Sequence, residues 1–403
     1  MIITPLRIEN EKNAKGLLSS VGVSCEGIDI LSPKCVYSAF RIEGIKSWEA
    51  NIIKQHLLSL GSDSAVERSA LVKNIKTDTV IFGSITQLKK LCEKLKNQPF
   101  TLKEISQSLS LYLDNLFKQE FILRARDKTI KIKKPLICGI INLTTDSFSG
   151  DGLLIEASGR KLKDLVLRKI EEMVTSGAAM IDMGAESSRP YSKPIMEKEE
   201  IARLAPVICA ARKRFKEILI SVDTNKLNVA KVVAEEGADI INDITALRKS
   251  PGIINLIKKH KLGVILMHMK ASPLTMQVNP KYKKVTEEII SFFKERISML
   301  NKEKINPEQI LIDPGIGFGK TTQDNLKIIN ELYKFKIFGL PIFIGLSRKS
   351  FIGKITGKKA DQRLYGTIAS GIIAVLRGAN ILRVHDVKEN KQALDLAASI
   401  INN

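Results

Sequence analysis

Apolar runs of four to eight residues, each breaking off into a polar cluster, recur along most of the chain. The first organises the rest: residues 135–152 read PLICGIINLTTDSFSGDG, a buried-strand pattern at 136–143 followed by a loop of polar groups, one aromatic and glycines. Strict alternation puts Cys138, Ile140 and Asn142 on one face, so an amide stands at the strand's carboxyl end. The same event recurs, giving strands at 136–143, 179–184, 219–223, 239–244, 263–269, 310–313, 341–346 and 381–386. Helical spacing fills the intervals at 162–176, 197–215, 227–237, 252–260, 285–300, 323–335 and 364–378, with a last helix at 389–401. Eight strands alternating with eight helices predict an α/β fold, a (β/α)8 TIM barrel. A doubly wound open sheet is the runner-up, but it normally uses fewer strands. Residues 121–132 read as a hairpin turning at Asp127-Lys128, placed to plug the bottom of the barrel.

The segment before it reads as a smaller α/β domain, giving a division into 1–118 and 119–403. Within it, strands are expected at 2–8, 35–42 and 78–83, and helices at 48–60, 86–97 and from about 99 to 117. It carries no Gly-rich phosphate loop and no catalytic cluster, so a structural appendage is the simpler reading.

In a barrel the strand ends converge on one mouth. Strand one delivers Asn142; strand two carries Asp182 and opens into Gly184-Ala-Glu-Ser-Ser188-Arg189-Pro190. Strands three and four end in Asp223 and in Asn242-Asp243, and strand five in Met267-His268-Met269. Strand six ends in Asp313-Pro-Gly-Ile-Gly-Phe318-Gly-Lys320, strand seven in Gly345-Leu-Ser347-Arg348-Lys349-Ser350, and strand eight in Arg383-Val-His385-Asp386. Any one of these is explained by a cap or a structural salt bridge; all of them at one face are not. Asp223, Asn242 and Asp313 suit a flat heterocycle rich in donors, because a carboxylate matches a 2-amino-pyrimidinone edge with paired, charge-assisted hydrogen bonds. Arg383 and His385, two apart on one strand, are placed to grip an anion. Ser350 opens a helix whose free N–H groups offer a second anion site.

Composition narrows the class. At 403 residues, 44% hydrophobic and without a long apolar run, the chain reads as a globular protein without a membrane span or secretory leader. Five scattered cysteines with no CxxC pair argue against a zinc site or a disulfide framework and for a reducing cytoplasm. The net charge of +21 comes from lysines spread over many segments, a solvated basic surface that also attracts anionic substrates. No nucleic-acid-binding motif accompanies it. Two phosphate motifs fail on inspection: PGIGFGKT at 314–321 has Pro314 where a P-loop needs glycine, and its glycines run GxGxG rather than GxGxxG.

Taken in order, GIINLTTDSFSGDG, GAESSRP, SVDT, INDI, LMHM, DPGIGFGK, GLSRKS and RVHDV resemble the dihydropteroate synthases, over a region from about residue 121 to the C-terminus. The resemblance implies a cytoplasmic transferase of folate biosynthesis, the class targeted by sulfonamides. It condenses 6-hydroxymethyl-7,8-dihydropterin pyrophosphate with p-aminobenzoate, releasing pyrophosphate and 7,8-dihydropteroate. By the same resemblance, Asp223, Asn242, Met267, Asp313, Gly345 and Lys349 hold the pterin, while Asn142, Ser188, Arg383 and His385 bind the pyrophosphate. Asn142 also coordinates Mg²⁺. Thr145, Phe148, Ser188, Arg189, Phe318 and Ser350 shape the p-aminobenzoate site, and Asp223, Asp313, Lys349, Arg383 and His385 carry the catalysis. The implied partners are these small molecules, and the implied assembly is a homodimer. Departures from the family pattern gather on the aminobenzoate side: Thr145 replaces a proline, Gly150-Asp151 inverts an Asp-Gly, Ala185 replaces a glycine, Ser188 a threonine and Ile316 a phenylalanine. The rivals are a pterin-dependent methyltransferase on the same barrel and, from another class, a basic nucleic-acid-binding protein. The first has no need of SRKS and RVHD; the second has no need of the polar mouth.

Overall fold

A computed structural model describes residues 1–144, 159–187, 194–271, 275–276 and 278–402. The chain divides into two compact units, Met1–Lys118 with Ile337–Gly339, and Gln119–Lys336 with Leu340–Asn403. In the first, β1 (Tyr37–Lys46), β2 (Asp63–Val66) and β3 (Lys76–Ser84) form an antiparallel sheet in the order β1-β3-β2. Alternation in β3 buries Thr77, Thr79 and Ile81 and exposes Val80 and Phe82. The helices Ser47–Ser59, Ile85–Leu95 and Leu102–Leu116 supply Ile53, Leu57, Leu88, Leu91 and Leu113 to the core that Ile81 shares.

Two sequence expectations for this unit are corrected, and three elements are added. Residues 2–8 form no strand, because no neighbouring strand pairs with them, and Ile2, Ile3 and Leu6 are exposed. The strand expected from residue 35 starts at Tyr37, since Cys35 closes a helix, Cys25–Cys35. That helix, Glu11–Ser20 and β2 were not anticipated; the two helices are short, polar and started by the caps Asn10 and Ser24.

The second unit opens with β4 (Phe121–Ala125) and β5 (Lys128–Ile132), an antiparallel hairpin. Its turn is Arg126-Asp127, one residue earlier than expected, with Arg126 in the left-handed region at φ 58°. The Arg126 guanidinium donates to the carbonyls of Ala234 (2.6 Å) and Ala238 (3.1 Å), which fixes the turn in place. Eight parallel strands follow: β6 (Leu136–Asn142), β7 (Met180–Gly184), β8 (Leu219–Asp223), β9 (Ile240–Asp243), β10 (Gly263–Met267), β11 (Ile310–Asp313), β12 (Phe343–Gly345) and β13 (Ile381–Val384). They are neighbours in the order β11-β10-β9-β8-β7-β6-β13-β12, and a parallel bridge between Ile312 and Ile342 closes the ring. Several strands end sooner than expected, so Met269, Leu346, His385 and Asp386 belong to the loops. The helix expected at 323–335 is an α-helix only over Thr322–Asn330 and continues as a 3-10 segment, Leu332–Phe338. Among the described residues no helix is long and apolar enough to cross a membrane.

The base of the barrel is one apolar layer. Cys138, Met180, Leu219, Ile240, Ile265, Leu311, Phe343 and Ile381, one from each barrel strand, pack with Phe121, Leu123, Ala125 and Ile132 of the hairpin. The plug therefore supplies the apolar partners that a barrel end otherwise lacks. Below this layer Asp239 accepts hydrogen bonds from Lys128, Arg212 and the Ile220 N–H, anchoring β5 to the barrel. Leu123 is fully buried there, so Leu123→Ala is expected to cost about 2–5 kcal/mol in the unfolding transition of this unit. Thr129→Ala on the exposed side of the same hairpin should stay within about 0.5 kcal/mol, as urea titration followed by intrinsic fluorescence will show.

Candidate active site

Strand register brings the polar residues to one level at the carboxyl ends. Asn142 pairs with Gly184, Gly184 with Asp223, and Asp223 with Asn242, so these four lie in a row across β6 to β9. On the opposite wall Met267 is level with Asp313, and Gly345 with Arg383.

Beneath the row lies Asp182, which no exposed surface reaches. Its carboxylate accepts hydrogen bonds from Ser221 Oγ at 2.6 Å, Asn242 Nδ2 at 3.2 Å and Arg383 Nε at 2.6 Å. The bond to Nδ2 decides the orientation of the Asn242 amide. Its Oδ1 is then directed elsewhere and, though buried, has no hydrogen-bond partner among the described residues. An orphaned buried acceptor costs about 1–3 kcal/mol, and a donor brought by a ligand would remove that cost. Asp223 stands beside it, with Arg383 Nη2 at 3.8 Å from its Oδ2. Burial first, and then the Asp182 carboxylate, push the Asp223 pKa up to about 8 against the pull of Arg383. Asp313 is raised in the same direction by burial, opposed by Lys349, and its Oδ1 accepts from the Gly315 N–H at 2.7 Å.

The loop after β11 completes the slot. Gly315 and Gly319 both have positive φ, and a Cβ on Gly315 would stand 2.0 Å from the His268 carbonyl oxygen, so only glycine permits this path. Lys320 turns inward, where its Nζ donates to the carbonyls of Gly315 (2.8 Å), Phe318 (3.0 Å) and His268 (3.2 Å) and lies 3.1 Å from His268 Nδ1. The lysine of the P-loop-like run is thus spent on holding its own loop. Burial and the neighbouring Lys320 lower the His268 pKa to about 2, so the ring is neutral and accepts. Lys349 Nζ donates to the Ile316 carbonyl and sits 4.8 Å above the Phe318 ring; burial lowers its pKa to about 8. A Cβ on Gly345 would lie 3.8 Å from both Lys349 Nζ and Arg383 Cδ, so its absence keeps the space between the two cations clear. Phe318 also packs on Ile244, Met267, Met269 and Met276, an apolar cluster separate from the base layer.

Of the residues expected from sequence, Asn142, Asp223, Asn242, Met267, Asp313, Gly345, Lys349 and Arg383 all come to this mouth. His385 lies just beyond β13, with its Nδ1 2.9 Å from Ser347 Oγ. Ser350 is exposed and opens the helix Ser350–Thr356. Thr145, Phe148, Ser188 and Arg189 lie outside the described residues. What the sequence reading missed is the function of Asp182 and Lys320. Asp182 is two residues before Gly184, hence on the same inward face, and that alternation was the available signal.

The raised Asp223 pKa gives a stability test. An acid with a native pKa near 8 and an ordinary unfolded one binds its proton more tightly when folded. The native state therefore loses stability as pH rises from about 4 to about 8. Asp223→Asn has no such loss. The variant's melting temperature relative to the wild type, both without ligand, should accordingly climb between pH 5 and pH 8; a difference that stays flat or falls contradicts this electrostatic assignment.

The comparisons with known proteins agree with this geometry. Residues 138–385 match the family model described as "Pterin binding enzyme". The dihydropteroate synthase of Haemophilus influenzae is 40% identical over 280 residues, which is 70% of this chain and 99% of that protein. A Helicobacter pylori protein named bifunctional dihydropteroate synthase/dihydropteroate reductase is 33% identical over 403 residues, 99% of each chain. Among solved structures, Yersinia pestis dihydropteroate synthase with a sulfonamide drug complex superposes with a TM-score of 0.65 at 37% identity, covering 70% of this chain and 99% of that one. A Xanthomonas albilineans dihydropteroate synthase with 4-aminobenzoic acid gives 0.64 at 33% identity, with 70% and 99% coverage. The chain belongs to the pterin-binding enzyme family, as a dihydropteroate synthase of folate biosynthesis.

Proposed function

We propose that the slot over Asp182 is where the pterin lies, and the observation that carries this reading is the orphaned Asn242 Oδ1. A 2-amino-4-oxo-dihydropterin presents N–H donors along one edge. Asn242 Oδ1 and the Asp223 carboxylate accept from that edge, Asp313 accepts from the other end, and Lys349 donates to a ring acceptor. Met267 and its apolar neighbours cover a face of the ring. Binding of donors to Asp223 favours its ionised form, so it gives up a proton as the pterin enters.

In the reaction, the bond between the pterin methylene and the pyrophosphate oxygen breaks, and the aniline nitrogen of p-aminobenzoate forms a C–N bond to that carbon and loses a proton. Arg383 and His385 face the leaving pyrophosphate and neutralise the charge that develops on it. The dihydropterin ring delocalises the cation left on the methylene, and Asp223 and Asp313 stabilise it. The family resemblance assigns Thr145, Phe148, Ser188, Arg189, Phe318 and Ser350 to the acceptor, and Ser188 to the pyrophosphate as well. Among the described residues no group of three or more His, Cys, Asp or Glu could hold a metal. Mg²⁺, however, keeps much of its water and is commonly carried by substrate phosphates, so the single neutral oxygen of Asn142 suits it. When bound, Mg²⁺ neutralises charge on the pyrophosphate.

A homodimer fits the surface of the second unit. The helix Leu364–Leu376 leaves Tyr365, Ile373 and Leu376 exposed within one arc, an apolar stripe of the kind that a second copy covers. A cytoplasmic location fits the five free cysteines.

The full-length match to the Helicobacter protein, which includes the first unit, favours one additional activity, reduction of the product. Incubation with pterin pyrophosphate, Mg²⁺ and p-aminobenzoate should release pyrophosphate and form dihydropteroate; an added nicotinamide reductant will show whether dihydropteroate is then consumed. A chain starting at residue 119 should retain the synthase reaction and lose any reductase reaction.

Two variants separate binding from chemistry. Asp223→Asn should weaken bare pterin by about 1.5–3 kcal/mol, the scale of a hydrogen bond to a charged group. Arg383→Ala should lower turnover by a larger factor than it weakens bare pterin, which it touches only through Asp182 and Asp223. Calorimetry with pyrophosphate-free pterin distinguishes the two, and equal weakening in both would mean that the roles are misassigned.

A further inference from the structure

The loop between β11 and the helix Thr322–Asn330 has glycine at 315, 317 and 319, each with positive φ. Such a chain has more conformations open to it than one with side chains, so a single path has to be imposed from outside. Three side chains impose it from behind. Lys320, at 3% exposure, donates to the carbonyls of Gly315 and Phe318, and ties both to the His268 carbonyl. The Tyr282 hydroxyl donates to the Gly319 carbonyl at 3.0 Å. Asn325 Oδ1 accepts from the Gly317 N–H at 2.8 Å, and its Nδ2 donates to the Thr321 carbonyl at 2.8 Å. From the opposite side Lys349 donates to the Ile316 carbonyl. Each residue from 315 to 319 therefore has a backbone group held by a side chain. Within this frame the Phe318 ring lies 4.8 Å from Lys349 Nζ and packs on Ile244, Met267, Met269 and Met276.

We infer that Lys320, Tyr282 and Asn325 are positioning residues for the second substrate: they fix the backbone on both sides of Phe318, so that its ring is presented to the acceptor in one place. This rests on the assignment of Phe318 to the aminobenzoate site. None of the three is assigned to a substrate, so each acts through the loop backbone. A wall that is already fixed has no freedom to lose when a ligand packs on it, and the affinity gained is lost again when a pin is removed. The pterin slot depends on the pins less. Asp223 and Asn242 stand on other strands, and Asp313 meets the loop only at the Gly315 N–H, away from the groups held by Tyr282 and Asn325.

Steady-state kinetics on the full chain, with calorimetry of bare pterin beside it, tests this. Tyr282→Phe comes first, because it keeps the ring that lies against His268 and Lys270 and removes one hydroxyl. It should raise the KM for p-aminobenzoate about threefold, and Lys320→Met about tenfold, with smaller changes in bare-pterin affinity in both. Asn325→Ala should also raise KM, and Asn325→Asp, which keeps the acceptor for the Gly317 N–H, should recover most of that rise. In a Phe318→Ala background Tyr282→Phe should add little, because the hydroxyl acts through the ring that has been removed. An unchanged KM in Tyr282→Phe, equal losses of acceptor and pterin binding, or independent effects in the double variant would overturn the positioning role. If the wild type turns over but Phe318→Ala leaves KM unchanged, the acceptor does not lie against Phe318 and the inference falls while the synthase reading stands. A wild type that forms no dihydropteroate overturns both. Should Lys320→Met not fold, Tyr282→Phe and the two Asn325 variants decide.

Discussion

A single carboxylate at the axis of the barrel orients much of the active-site wall. Asp182 has no access to solvent, and an ionised group there needs partners from several directions. It obtains them from Ser221 on β8, Asn242 on β9 and Arg383 on β13, which are far apart in sequence and become neighbours only when the sheet closes. Each partner is oriented by this contact. Asn242 is left with its oxygen unpaired among the described residues, and Arg383 is drawn to within reach of Asp223. A cost of burial is thereby converted into the arrangement to which the proposed function assigns pterin binding.

A second constraint acts on the loops. Lys320 and Lys226 are both buried, and both donate to backbone carbonyls as well as to side chains. A buried ammonium with too few acceptors is expensive, so each lysine fixes the local chain path that supplies them. Around Lys320 the path is narrow enough to need glycine at 315, where any side chain would strike the His268 carbonyl.

Much of this was legible in the sequence. Eight apolar runs ending in polar clusters specify a parallel barrel, because the strand period, the helical spacing and the strand ends agree with one another. Asp223, Asn242 and Asp313 stand at such ends and could be singled out directly. What a strand-end reading does not show is where a long side chain goes. Lys320 and Lys226 are cations in loops, and only the closed fold reveals that acceptors surround them. Asp182 was visible as an inward position but not as the partner of residues on three other strands. In the first unit, residues 2–8 have the composition of a strand, yet a ladder needs a neighbour and none is present. The Glu11–Ser20 and Cys25–Cys35 helices were missed for the opposite reason: their polar, glycine-containing sequences have weak periodicity, and their caps were the better signal.

The hairpin at the base has a kinetic consequence. Because Phe121, Leu123, Ala125 and Ile132 pack one end with a side chain from every barrel strand, a ligand reaches the polar row only from the carboxyl ends of the strands. On the proposed assignment, a pterin seated against Asn242 and Asp223 lies deeper than the acceptor, which then stands across its exit. The deeper position is filled first under that assignment, and a product joined across both levels leaves as one piece.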